Sequence, residues 1–170
     1  MGTDITLFVE HKDEKTEEWK CVNLYRKNYE TGEVEMVQPW NGRNYILFDK
    51  LNLDSNKWGE NIVKSKRNLP EDLSPEVQEK YQSMKDWCYG ASCFDLYELI
   101  LINETDRVKV IYEDEWEPNE EKGETWEDCP KANVFEKTGF LREILHCLEM
   151  QDIYPTEKFG ENRVIVWFDR

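Results

Sequence analysis

The chain is predicted to fold as one α+β domain, a mainly antiparallel sheet with helices packed on one face. Three observations point there. Near the start, Ile5, Leu7 and Val9 alternate with Asp4, Thr6 and Phe8, the two-residue period of a strand. Apolar stripes at helical spacing occupy much of the middle. The chain closes on Val164-Ile165-Val166-Trp167-Phe168, a continuous β-branched and aromatic run of the kind found in a central strand covered on both faces. With 170 residues, the whole of 1–170 reads as a single domain that buries roughly two-thirds of the surface its unfolded form exposes.

The elements follow in order. Thr3 to His11 is the first strand, Lys12-Asp13-Glu14-Lys15 a turn, and Trp19 to Tyr25 a second strand that completes a hairpin. Asn28 to Gly32 is another turn, before a short strand from Glu33 to Val37. Pro39 and Asn41-Gly42 signal a turn, and Tyr45, Leu47, Phe48 and Leu51 mark one face of a short helix after it. Ser74-Pro75-Glu76 opens a longer helix, with a capping serine, proline at the first position and an acid that complements the dipole. Its apolar face is Val77, Tyr81, Met84 and Cys88, and it stops near Gly90.

Ser92 is expected to cap the next helix, which carries Phe94, Leu96, Tyr97, Leu99, Ile100 and Leu101. Arg107 to Tyr112 reads as a strand. An acidic loop follows at about 113–130: nine carboxylates between Glu113 and Asp128, with Trp116 and Trp126 as its large rings and Pro118 and Gly123 as breakers. It reads as a solvated excursion, a lid, or a surface that imitates a nucleic acid. Thr138 is expected to cap a further helix with the stripe Phe140, Leu141, Ile144, Leu145 and Leu148, and Tyr154-Pro155 ends that segment.

Composition narrows the function. Thirty-seven acidic residues against twenty-two basic leave a net charge of −15, which repels polyanions, so direct binding to DNA or RNA is not expected. Seven tryptophans and 13% aromatic residues argue for a folded protein with rings to spare for stacking. No apolar run is long enough to span a bilayer, and the N-terminus has no basic-then-apolar leader, so a cytoplasmic place and no membrane partner are expected. The five cysteines, odd in number and irregularly spaced, are expected to be free thiols. His11 and His146 share no ligand spacing with a cysteine pair, and His146 and Cys147 point to different faces of a helix. No metal, cofactor or catalytic residue is nominated.

The candidate ligand site is the turn and helix start at Trp40, Arg43 and Tyr45, where rings stand beside a cation. Lys64, Lys66 and Arg67, the one basic cluster of an acidic chain, are the other candidates for meeting an anion. The plainer reading makes Trp40 and Tyr45 core residues and pairs Arg43 with a surface carboxylate.

Four stretches carry a resemblance: Met1-Gly2-Thr3-Asp4-Ile5-Thr6-Leu7-Phe8-Val9-Glu10; Gly42-Arg43-Asn44-Tyr45-Ile46-Leu47-Phe48; Leu69-Pro70-Glu71-Asp72-Leu73-Ser74-Pro75-Glu76-Val77; and Val164-Ile165-Val166-Trp167-Phe168-Asp169. In this order, across nearly the full chain, they resemble a family of small uncharacterised proteins found largely in bacteriophages. The chain departs from that pattern twice. Thr6 stands where the family usually has histidine, and Gly90-Ala91-Ser92-Cys93-Phe94 stands where it has a histidine-containing segment. Imidazole is the side chain suited to acid–base work near neutrality, so these departures favour binding over catalysis.

The resemblance implies a small accessory protein of the kind that neutralises host defence in the host cytoplasm. The leading expectation is a protein that sequesters a nucleotide-derived immune signal, with rings stacking on the base and cations meeting phosphates. The alternative is an acidic interaction protein that mimics nucleic acid and blocks a host defence nuclease or CRISPR effector. A third reading, a hydrolase of a nucleotide signal, has only Asp4, Glu10 and Asp49 to nominate. A homo-oligomer would bring two copies of Arg43 to one two-fold pocket.

Overall fold

The computed structural model describes residues 2–52, 68–105, 108–109, 116–154 and 161–169, with backbone alone at 108 and 109. A four-stranded antiparallel sheet is its centre: β1 (Asp4–Lys12), β2 (Trp19–Cys21), β5 (Cys88–Asp95) and β8 (Asn162–Asp169), in the order β2-β1-β8-β5. Two ribbons flank it, β3 (Tyr25–Lys27) with β4 (Val34–Met36) and β6 (Val108–Lys109) with β7 (Lys131–Ala132). The helices are α1 (Tyr45–Leu51), α2 (Pro75–Met84), α3 (Leu96–Thr105), α4 (Val134–Thr138) and α5 (Phe140–Met150).

The expected α+β class with an antiparallel sheet is the fold observed. The helices, however, are not all on one face. β1 and β8 pair along their length, Ile5 opposite Phe168, Leu7 opposite Val166 and Val9 opposite Val164, and these side chains form one core with α1, α3, α4 and α5. Phe8, Ile165 and Trp167 point the other way and pack against Val77, Tyr81 and Met84 of α2. A strand that is apolar at successive positions has two faces to cover, so one helix had to cross to the second. Ring contacts hold both sides: Phe48–Phe168 at 5.2 Å on the first, Phe8–Trp167 at 5.5 Å and Tyr81–Trp167 at 5.3 Å on the second.

The largest correction concerns Cys88–Asp95, expected to end one helix and begin another, which is instead strand β5. β8 is buried along its length and β1 serves one of its edges, so its other edge needs a partner for its backbone groups. The small residues Gly90-Ala91-Ser92-Cys93 supply it, with a register shift between Tyr89 and Ser92 at which Gly90 takes φ +64°. A side chain on Gly90 would press on Phe168 and Asn52 at 3.0 and 3.1 Å. Helix α2 therefore ends at Met84. Helix α3 starts at Leu96, closed by a reciprocal pair in which the Glu98 N–H donates to Asp95 Oδ1 at 2.8 Å and the Asp95 N–H to Glu98 Oε1 at 3.2 Å. Ser92 caps nothing; its hydroxyl is buried without a hydrogen-bond partner.

Two smaller corrections have local causes. The second strand stops at Cys21 because Asn23 turns inward, its Oδ1 accepting from the Val9 N–H at 2.8 Å and its Nδ2 donating to the Leu7 carbonyl at 3.1 Å. Thr138 ends α4 instead of capping the helix that carries Phe140, whose N-cap position is Gly139. Asn133 caps α4, accepting from the Phe135 and Glu136 N–H groups, and Gly139 at φ +72° turns the chain into α5. Of the strand expected over Arg107–Tyr112, Val108–Lys109 is β6 and the rest lies outside the described residues.

On the α2 face the sheet also holds a buried ionic cluster. Glu10 and Arg163 lie opposite each other on β1 and β8, fully and almost fully buried. Arg163 Nε donates to Glu10 Oε1 at 2.7 Å, and its other nitrogens donate to the Asp72 carboxylate at 2.9 Å and the Asp72 carbonyl at 3.1 Å. The Ser74 N–H donates to Glu10 Oε2 at 2.7 Å, and the guanidinium lies 3.9 Å from the centre of the Trp19 ring. This cluster ties the entry to α2 onto the sheet.

Candidate functional site

The predicted turn and helix start lie at the end of the sheet where β1 begins. Asn44, in extended backbone, caps α1 by accepting from the Leu47 N–H at 2.9 Å, which fixes Arg43 and Tyr45 on either side of the cap. Arg43 is half-exposed and ion-pairs with Asp4 at the start of β1, and that neighbour pushes the guanidinium pKa up from an already high value. Tyr45 is 43% exposed and sets its ring edge-on to Phe48 at 6.0 Å. Its hydroxyl and the Arg43 side chain both crowd the place a Cβ would occupy on Gly2, so the chain start lies against the pair.

Tyr89 of β5 joins this end of the sheet. Its ring packs at 5.9 Å on Phe168, its hydroxyl is 3.2 Å from Thr3 Oγ1, and it keeps 38% of its surface exposed. The result is a relay of rings, Tyr45–Phe48–Phe168–Tyr89, with its two tyrosine ends open to solvent and Arg43 at the first of them.

Trp40 is placed differently. Its Nε1 donates to the Thr138 carbonyl at 2.9 Å, and its ring meets Phe48 at 6.3 Å and Phe140 at 5.8 Å, both edge-on. A Cβ at Gly42 would sit 2.6 Å from the indole, so glycine is what lets the turn close over it. Trp40 is a wall that supports the site, with its ring engaged by the core. The structure thus brings Arg43 and Tyr45 together at the surface and turns Trp40 inward. Lys64, Lys66 and Arg67 lie outside the described residues.

Sequence reasoning missed Tyr89 and gave Asp4 no part in ligand binding. Tyr89 was hidden because its strand read as helix; the small run after Gly90, poor in helix formers, was the available signal. Asp4 was hidden because ion-pair partners 39 residues apart leave no local pattern.

The acidic loop is more built than its composition suggests. Two 3₁₀ turns, Glu120–Lys122 and Trp126–Asp128, shape it. Asn119 accepts from the Lys122 N–H, and Thr125 and Asp128 form a reciprocal capping box. Trp116 and Trp126 meet at 5.5 Å, and Cys129 is buried at the exit. Glu117, Glu120, Glu121, Glu127 and Asp128 remain exposed on this frame.

Among the described residues, no group of three His, Cys, Asp or Glu side chains is placed to hold a metal ion, and no helix is long and apolar enough to cross a membrane. Comparison with protein-family profiles, with curated proteins and with solved structures finds no match in any of the three.

Proposed function

We propose that this is a phage-type anti-defence protein that binds and sequesters a nucleotide-derived immune signal at the Arg43–Tyr45–Tyr89 end of the sheet. The observation that carries the reading is the pairing of a solvent-accessible guanidinium with exposed tyrosine rings on a rigid support. A surface ion pair is weak in water, so an incoming phosphate competes with Asp4 for Arg43 at little cost. A base stacked on one ring contributes about 1–3 kcal/mol, and a charge-assisted hydrogen bond adds about as much again, enough for micromolar binding. Host cytoplasm is the matching location, and pairing of two subunits would double the cation.

Thermal melting against cyclic nucleotides and ADP-ribose derivatives tests it. A ligand at about a hundredfold excess over its dissociation constant stabilises the fold by about 2.7 kcal/mol. One compound is expected to raise the melting temperature of the wild type and of Trp40→Phe but not of Arg43→Ala or Tyr45→Ala. No shift with any compound at millimolar concentration removes the reading.

The framed acidic loop favours a second reading, occupation of the nucleic-acid site of a host defence nuclease or CRISPR effector. Capped turns hold four exposed acids, Glu120, Glu121, Glu127 and Asp128, in set positions, as a phosphate mimic needs. Inhibition of such an enzyme would weaken steeply with salt, whereas stacking at Tyr45 and Tyr89 would not.

A further inference from the structure

Asn41-Gly42 is the only place in the chain where asparagine precedes glycine. Both residues are exposed and lie outside any helix or strand, between Trp40 and the start of α1. Among the described residues, neither the Asn41 side chain nor the Gly42 N–H takes part in a hydrogen bond. Asparagines elsewhere are held. Asn44 Oδ1 accepts from the Leu47 N–H at 2.9 Å and Asn28 Oδ1 from the Glu30 N–H at 2.9 Å, while Asn23 is buried with both ends of its amide bonded to β1.

An asparagine amide lies within reach of the backbone nitrogens that follow it. Glycine puts no Cβ in the way of a ring closed onto its nitrogen. At Asn28 and Asn44 the next residue is a tyrosine, which crowds that approach, and the amide oxygen is already engaged. At Asn41 nothing holds the amide and nothing shields the nitrogen.

We propose that Asn41 is a site of spontaneous deamidation, with water as co-reactant, and that the reaction alters the turn beside Arg43. The Gly42 nitrogen loses its proton and attacks Asn41 Cγ. The Cγ–Nδ2 bond breaks, Nδ2 takes up that proton and leaves as ammonia, and a succinimide remains. Water then opens the ring at one of its two carbonyls, giving aspartate or isoaspartate, with no oxidation or reduction. Either product places a new carboxylate two residues from Arg43, the partner of Asp4. Isoaspartate also routes the chain through Cγ. That lengthens by one atom a turn so closely set on Trp40 that a Cβ on Gly42 would lie 2.6 Å from the indole. The charge falls beside the proposed nucleotide site, but the reaction does not depend on that reading.

Peptide mapping of the native protein, incubated at mildly alkaline pH beside a synthetic peptide spanning 38–46, tests this. Asn41 is expected to gain the amide-to-acid mass shift at a rate that rises in proportion to hydroxide, while Asn28 and Asn44 keep their amides. The folded rate is expected to lie within about tenfold of the peptide's, since one hydrogen bond to be broken first would slow it by about that factor. Asn41→Gln, which would have to close a larger ring, is expected to stay unconverted. Aged wild type, its isoaspartate verified by labelling with an isoaspartate carboxyl methyltransferase, is expected to melt a few degrees below equally aged Asn41→Gln. Fresh Asn41→Asp, which has the charge without the extra backbone atom, is expected to melt as fresh wild type does. A folded rate slower than the peptide's by more than that factor, equal conversion at Asn28 or Asn44, or equal melting of the two aged proteins overturns the proposal.

Discussion

The two faces of the central sheet are built on different principles. Against α1, α3, α4 and α5 the sheet presents Ile5, Leu7, Val9, Val164, Val166 and Phe168, and the contact is a continuous apolar core with rings such as Phe94, Phe135 and Phe140 fully buried. Against α2 it presents a smaller apolar group around Trp167, a buried Glu10–Arg163 pair reaching Asp72, and an open cavity. One face is stabilised by filled volume. The other is registered by directional bonds and keeps space. Closed packing gives stability without choice, whereas polar anchoring with a void leaves room for a ligand.

The sharpest way to break this contrast is to injure each face. Phe94→Ala on the closed face is expected to cost about 3–5 kcal/mol in urea unfolding, because the surrounding core relaxes only partly into the void. Glu10→Ala leaves Arg163 buried without its closest partner and is expected to cost a similar 3–5 kcal/mol, but the double variant Glu10→Met/Arg163→Met is expected to recover most of that loss. If the double variant is as unstable as the single one, the cluster acts through packing and not through charge. Next in size is Asn133→Ala, which removes the α4 cap and a hydrogen bond to the Ile102 carbonyl; about 1–2 kcal/mol is expected.

Thiol chemistry probes both faces at once. Burial pushes Cys21, on the α2 side, up to about 12, and Cys147, on the closed side, up to about 11. Both are expected to resist iodoacetamide at neutral pH in the folded protein and to react after unfolding, as peptide mapping would reveal. A raised folded value means that these groups contribute stability below the unfolded thiol pKa of about 8.5, lost as pH climbs from there through the folded values. Urea midpoints are expected to fall in that alkaline window. The smallest effect on folding belongs to Arg43→Ala: its pair with Asp4 is exposed, so the melting temperature of the free protein is expected to stay unchanged while ligand-dependent shifts disappear.

Much of this was legible locally. The alternation of Ile5, Leu7 and Val9, the run from Val164 to Phe168, and the start of α2 at Ser74-Pro75-Glu76 were each read from neighbours in the chain, and all three stand in position, although the Ser74 hydroxyl makes no capping bond. Arg43 and Tyr45 flank one cap only three residues long, so their company was legible too. Cys88–Asp95 was not, because its residues have little preference of their own and the demand for a strand comes from β8, some seventy positions later. Trp40 was half-legible: its place on a turn was visible, and its engagement with Thr138 and Phe140, a hundred residues away, was not.

By itself the sequence determined which segments are apolar at regular spacing, where the first turns fall, and that the chain is acidic, since these depend on composition or on side chains a few positions apart. The tertiary structure decided that α2 crosses to the second face, that Cys88–Asp95 extends as a strand, and that Glu10, Asp72 and Arg163 meet. The reason is that a buried backbone edge and a buried charge must each find a partner wherever the chain can supply one, and that partner is set by the closed fold and not by position along the chain.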